Sequence, residues 1–141
     1  MQINNLNLAF AANIRYLRYA LGYLERNKPY RQMEFAKLLN VNYTTISRWE
    51  RGYLPSNRQL HRLAKFFTER FKITINPEDL LYRDIRNVVK IVNDQVVIQQ
   101  NEANKLRLLR DFEMFARENL TEKDIETLIK IAKLLKERGE I

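Results

Sequence analysis

Between Gln32 and Arg51 two short helical patterns meet with only Asn40-Val41-Asn42 between them. In the first, Phe35, Ala36 and Leu39 recur on one face; in the second, Ile46 and Trp49 do. So short a connection makes the second helix turn back across the first, with both apolar faces directed into a shared core. Asn40 tolerates the left-handed backbone of a tight turn, Val41 offers an apolar plug, and Asn42 can cap the helix from Tyr43 to Arg51. Gly52 comes next, in the position favoured for a left-handed residue after a helix. Ala36 is small enough for the two helices to cross closely.

The rest of the chain supplies partners for that pair. Over residues 8–22, Phe10, Ile14, Leu17 and Leu21 recur at helical spacing, with Asn7 available as a cap and Gly22 as a stop. A polar stretch, Glu25 to Pro29, interrupts the pattern. Pro55-Ser56 open a fourth helix with Leu60, Leu63, Ala64 and Phe67 inside, and an apolar segment, Phe71 to Ile75, leads on from it. Asn76-Pro77 start a fifth helix reaching Tyr82. Residues 88–99 are rich in β-branched side chains around Asn93-Asp94 and predict a short β-hairpin. Residues 102–119 carry Leu108, Leu109, Phe112, Phe115 and Ala116 along one side. Thr121 caps a last helix, to Arg138, with Ile125, Leu128, Ile129, Ala132 and Leu135, and Ile131 and Leu134 widen its stripe. The expected architecture is all-α: a five-helix domain over residues 1–83, a connecting segment with the hairpin over 84–100, and a C-terminal helical pair over 101–141.

Charge is unevenly placed along this plan. The net charge is +8. Residues 1–82 hold 13 Lys and Arg against 6 Asp and Glu, and residues 83–141 hold 12 against 11. A localised positive field attracts polyanions and accelerates encounters with them. There are no cysteines, which excludes disulfides, thiolate metal sites and cysteine nucleophiles. No apolar run approaches the length of a membrane span, and the start lacks the pattern of a secretory signal, so a cytoplasmic protein is expected.

The stretch YRQMEFAKLLNVNYTTISRWERG, Tyr30 to Gly52, resembles the helix-turn-helix of the lambda-repressor-like, or XRE, family of regulators. The positions that carry the resemblance are Gln32, Ala36, Asn40-Val41-Asn42, Ile46, Trp49-Glu50 and Gly52. It extends to the helices at 8–22, 56–67 and 77–82. The resemblance implies a transcriptional regulator that binds double-stranded DNA. One reading helix spans only a few base pairs, so a homodimer on two half-sites is expected, acting as a repressor and with no cofactor. Two departures are the longer connection from Tyr23 to Pro29 and the extra length between Ala64 and Ile75.

Helix geometry indicates which side chains could read bases. With about 100° per residue, Trp49 and Glu50 fall near Ile46, while Thr44, Arg48 and Arg51 fall on the opposite side. Tyr43 stands at the first turn, projecting off the tip. Asn42, Tyr43, Thr44, Ser47 and Arg48 are the expected base-facing set; Arg48 can donate two hydrogen bonds to guanine, and Thr44 offers a hydroxyl or a methyl. Arg31, Gln32, Arg51, Tyr53, Asn57 and Arg58 are the expected phosphate contacts. Gln32 matches the family's phosphate-binding glutamine. Arg31 stands where the family usually has Ser or Thr, losing a capping hydroxyl but adding a cation. Glu50 lies on the inner face, where a carboxylate needs a partner. Arg18 occupies the family's helix-1 arginine position, which implies a structural ion pair with Glu50.

Other functional classes fit less well. The single histidine, His61, is expected at the surface of the fourth helix. With three glycines there is no phosphate-cradling loop, and no metal-ligand spacing appears. The aromatics follow helix faces rather than a stacking sheet, which disfavours RNA. The alternative retained is an antitoxin-like or phage-type switch whose C-terminal helices bind a partner protein. Those helices could equally self-associate or pack on residues 1–82.

Overall fold

The computed structural model describes residues 5–139. The chain divides into two compact units between Asn104 and Lys105. The first contains α1 (Asn5–Arg26), α2 (Gln32–Leu39), α3 (Tyr43–Glu50), α4 (Asn57–Phe71) and α5 (Pro77–Tyr82). A 3-10 turn, Ile85–Asn87, then leads into β1 (Val89–Val92) and β2 (Gln95–Ile98). Two further helices complete the chain, α6 (Gln100–Asn119), which runs across the division, and α7 (Glu122–Glu137).

The core of the first unit assembles from the expected faces. Phe10, Ile14, Leu17 and Leu21 of α1 are fully buried, as are Phe35 and Ile46, and Trp49 is nearly so. Phe10 meets Trp49 edge to face, with ring centroids 6.2 Å apart, while Phe35 stacks on Phe67 at 6.1 Å. Edge-to-face and offset-stacked arrangements are the favoured geometries for aromatic quadrupoles. Burying such rings contributes most of what holds short helices in place, since eight-residue helices are marginal alone.

Local signals set the ends of these elements. Ser56 accepts from the Gln59 N–H at 3.2 Å, and Gln59 Oε1 accepts from the Ser56 N–H at 3.0 Å, a reciprocal cap on α4. Thr121 and Asp124 make the same arrangement on α7. At Asn42 the backbone stands at the cap of α3, but its side chain makes no capping hydrogen bond. Asn93 and Asp94 have φ of 51° and 61°, which is the double left-handed geometry of a tight two-residue hairpin turn. The strands pair antiparallel, Val89 with Ile98 and Val92 with Gln95.

Besides the missing Asn42 cap, four expectations need correcting. Helix α1 is already helical at Asn5, two residues before the expected cap Asn7. It also passes through Gly22 to Arg26, so Gly22 is not its stop. A Cβ at Gly22 would lie 2.3 Å from the Lys28 carbonyl oxygen and 2.5 Å from the Tyr30 nitrogen, so glycine is there to let the α1–α2 connection cross the helix. Helix α4 extends to Phe71, which absorbs the extra length after Ala64 into one amphipathic helix. Helix α6 begins at Gln100 rather than Glu102.

Buried polar groups join α1 to α5 and the segment beyond it. Asn13 donates to the carbonyls of Leu80 at 2.9 Å and Arg83 at 2.7 Å, and accepts from the Ile85 N–H at 3.3 Å. One side chain thereby closes the end of α5 and fixes the 3-10 turn. The Tyr16 hydroxyl accepts from the Ile91 N–H at 3.0 Å, holding β1 against α1. Burial raises the Tyr16 hydroxyl above its ordinary pKa despite that hydrogen bond.

Candidate nucleic-acid interface

Two tight turns define the motif. Helix α2 ends on Asn40, with φ 56°; the Asn40 N–H bonds the Lys37 carbonyl at 3.2 Å, and the Val41 N–H bonds the Ala36 carbonyl at 3.0 Å. Helix α3 ends the same way on Gly52, with φ 108°: Gly52 N–H to the Trp49 carbonyl and Tyr53 N–H to the Arg48 carbonyl, both at 3.1 Å. These paired bonds form the Schellman arrangement, which satisfies the free carbonyls at a helix end and reverses the chain sharply. Each helix therefore stops abruptly, and α3 lies across α2 with both ends set.

The inner face of α3 holds Ile46, Trp49 and Glu50, all buried. Arg18 from α1 grips the Glu50 carboxylate with two hydrogen bonds, Nε to Oε2 at 2.7 Å and Nη2 to Oε1 at 2.8 Å. The side chains are only 8% and 2% exposed. Arg18 Nη1 also donates to the Tyr30 carbonyl at 2.6 Å, so one guanidinium joins α1, the approach to α2 and the end of α3. Burial pushes the Glu50 carboxyl upward, but the hydrogen bonds and charge of Arg18 outweigh it and hold its pKa below the ordinary value. Burial opposes the Arg18 charge too, and Glu50 again prevails, raising its pKa.

Sequence reasoning missed a third member of this cluster. Arg15, one turn before Arg18, donates to Glu50 Oε1 at 3.3 Å and to the Glu50 carbonyl at 3.4 Å, with its side chain 58% exposed. The one-turn spacing of Arg15 and Arg18 on α1 was the available signal. Gln32 also turns inward, its amide donating to Glu50 Oε1 at 3.3 Å. A carboxamide has a second N–H, so this bond leaves one donor for another acceptor.

The outer face of α3 presents Tyr43, Thr44 and Arg48 to solvent, and Tyr43 is 53% exposed. Ser47 is half-buried, and Asn42 is exposed at the helix start. The Arg48 guanidinium rests over the Tyr53 ring, 5.6 Å from its centroid. Arg31, Arg51, Tyr53, Asn57 and Arg58 are all exposed.

The start of α2 is secured differently from a hydroxyl cap. Arg31 has no side-chain acceptor to offer, but Glu34 accepts the Arg31 N–H at 2.8 Å. Arg26 clamps the same carboxylate, Nη1 to Oε2 at 2.6 Å and Nη2 to Oε1 at 2.8 Å. The Arg26 hydrogen bonds, aided by the Arg31 N–H, hold the Glu34 carboxyl down to about 2. The Arg31 side chain is thus left to solvent beside the N-terminus of α2.

This arrangement is a helix-turn-helix: two short helices joined by a tight turn, the second with one face buried and the other exposed. Residues 26–71 match the family model described as Helix-turn-helix, and this segment belongs to the XRE-type, lambda-repressor-like helix-turn-helix. At the level of that family it is the domain of a DNA-binding transcription regulator. Comparison with curated proteins and with solved structures finds no match. Among the described residues no helix is long and apolar enough to cross a membrane, and no group of His, Cys, Asp and Glu could hold a metal ion.

Proposed function

We propose that the chain is a sequence-specific repressor that binds double-stranded DNA as a homodimer in the cytoplasm, with α3 in the major groove. The observation that carries this is the division of α3: Ile46, Trp49 and Glu50 are buried, and Tyr43, Thr44 and Arg48 on the other side are exposed. A reading helix needs that division, because its inner face anchors it while its outer face meets base edges. Asn42, Tyr43, Thr44, Ser47 and Arg48 read bases. Arg31, Gln32, Arg51, Tyr53, Asn57 and Arg58 hold phosphates on either side. Arg18 and Glu50 form the structural pair that fixes the angle of α3. Occupying the operator blocks its use by other proteins, which makes repression the expected outcome.

Binding-site selection with affinity measurement tests this reading. Arg48→Ala should cost about 1–3 kcal/mol and relax the preference at one base position. Arg58→Ala should weaken all sequences alike and reduce the salt slope by about one. Equal losses on every sequence for Arg48→Ala would remove it from the reading set.

A second reading is favoured by the apolar residues that α6 and α7 leave exposed, among them Phe112, Phe115, Leu128 and Ile131. In an antitoxin-like or phage-type switch, that surface would take a different protein while α3 binds DNA. Co-purification of a stoichiometric second protein from the native host distinguishes the two.

A further inference from the structure

Helix α7 has no buried residue. Leu128, Ile129, Ile131 and Leu134 are each 40% exposed or more, and only Ile125 and Leu135 are half-covered. A sixteen-residue amphipathic helix left in this condition lacks the burial that stabilises it. The pattern of its side chains indicates what should cover it.

Ile125, Leu128, Ala132 and Leu135 fall on successive a and d positions of a heptad, the seam of a two-helix coil. The positions flanking that seam, e and g, are graded along the helix. They are Glu122 and Asp124 at the amino end, Ile129 and Ile131 in the middle, and Lys136 and Arg138 at the carboxyl end. A parallel pair would gather the acidic residues at one end and the basic ones at the other. An antiparallel pair places e beside e and g beside g, and here every such match is favourable. Glu122 meets Lys136, Asp124 meets Arg138, and Ile129 and Ile131 each meet their own copy. The seam obeys the same register: Ile125 lies opposite Leu135, and Leu128 opposite Ala132. The seam pairs centre on Lys130 and the flanking pairs on its two neighbours, so one twofold axis relates them all. The helix dipoles of antiparallel partners also oppose favourably.

From this we infer that the occupant of the α7 face is α7 of a second copy of this chain, antiparallel about a dyad at Lys130. The inference rests on the dimeric reading above and gives that dimer its interface. A pairing in which the same patch meets itself is closed and stops at two chains.

The experiment uses the full chain, whose lack of cysteines makes introduced thiols unambiguous. Light scattering across concentration should show a dimer. Leu128→Glu, on an exposed position, should weaken that dimer at least about tenfold through the loss of buried leucine contacts, with unchanged circular dichroism. Oxidised Ile125→Cys alone and Leu135→Cys alone should give no cross-link, because the two positions are about 15 Å apart along a helix and a disulfide spans less than about 7 Å between Cα atoms. A mixture of the two variants should cross-link. A monomer overturns the dimeric reading and this interface together, whether α7 folds back on its own chain or serves a different protein. A dimer in which Ile125→Cys cross-links to itself, or in which the mixture does not cross-link, leaves the dimer standing and overturns the antiparallel geometry.

Discussion

Glu50 sits on the same buried face as Ile46 and Trp49, and Arg18 gives its carboxylate the two shortest of the hydrogen bonds it receives, with Arg15 and Gln32 adding one each at 3.3 Å. Removing one partner of a buried pair costs about 3–5 kcal/mol where the remaining charge is uncompensated, and the Arg15 and Gln32 bonds to Glu50 reduce that loss without replacing the two Arg18 bonds. Arg18→Ala should therefore lower the melting temperature and DNA affinity together, as measured by thermal denaturation and by titration with operator DNA. Arg15→Ala, at an exposed position, should cost less than about 1 kcal/mol. If Arg18→Ala abolished binding in a chain of unchanged stability, Arg18 would belong to the DNA contact instead. Glu34 gives a pH signature. Its carboxyl is held at about 2 against an ordinary 4.5, so it binds fewer protons in the folded state than in the unfolded state at intermediate pH. Its contribution is complete above about 4.5 and is lost as pH falls toward 2. Glu34→Gln should flatten the loss of stability over that window in acid titrations monitored by circular dichroism. An unchanged acid profile would show that the Arg26 clamp contributes nothing to folding.

At the scale of elements, the helix ends separate two uses of glycine. Gly52 has φ 108° and nothing within 4 Å of where a Cβ would stand, so only backbone conformation requires it. Gly52→Ala should cost about 1–2 kcal/mol, the penalty of left-handed backbone. At Gly22 the obstacle is three backbone atoms within 2.6 Å, which cannot swing aside. Gly22→Ala should cost about 2–3 kcal/mol even though alanine favours helix. Denaturant midpoints for both variants check the order, and the reverse order would contradict both assignments. The same two glycines show what was legible in the sequence. Gly52 was readable because a left-handed residue after a helix is a local event, decided by its neighbours. Gly22 looked like a stop for the same local reason, but its role depends on where Lys28 and Tyr30 pass after the chain has folded. Asn13 and Tyr16 were unreadable for that reason too, since their partners Leu80, Arg83, Ile85 and Ile91 are remote in sequence. Periodicity placed Ile46 and Trp49 inside, and they are buried. The one-turn spacing of Arg15 and Arg18 sets both on one face of α1, but that this face meets Glu50 depends on how α1 crosses α3.

On the scale of the whole molecule, if α7 pairs as inferred above, its twofold symmetry must carry through to the DNA. A closed twofold pair carries two copies of α3, and one reading helix covers too few base pairs to specify a site alone. The selected operator should then be an inverted repeat, with half-sites separated by one helical turn, about 34–36 Å, or a multiple of it. Each copy contributes its own set of cations, so the slope of log affinity against log salt should be roughly twice that of a single domain. Leu128→Glu makes the comparison within an intact chain, because Leu128 lies on α7 and Arg48 on α3. That variant should keep the base preference of one half-site while losing the repeat. Its salt slope should fall to about half, and its affinity for the full operator should fall more steeply than for an isolated half-site. Selection of a direct repeat, or of a site without a dyad, would be incompatible with a twofold dimer. An unchanged salt slope in a demonstrably monomeric Leu128→Glu would mean that one copy of α3 and its flanking cations already account for all the DNA contact.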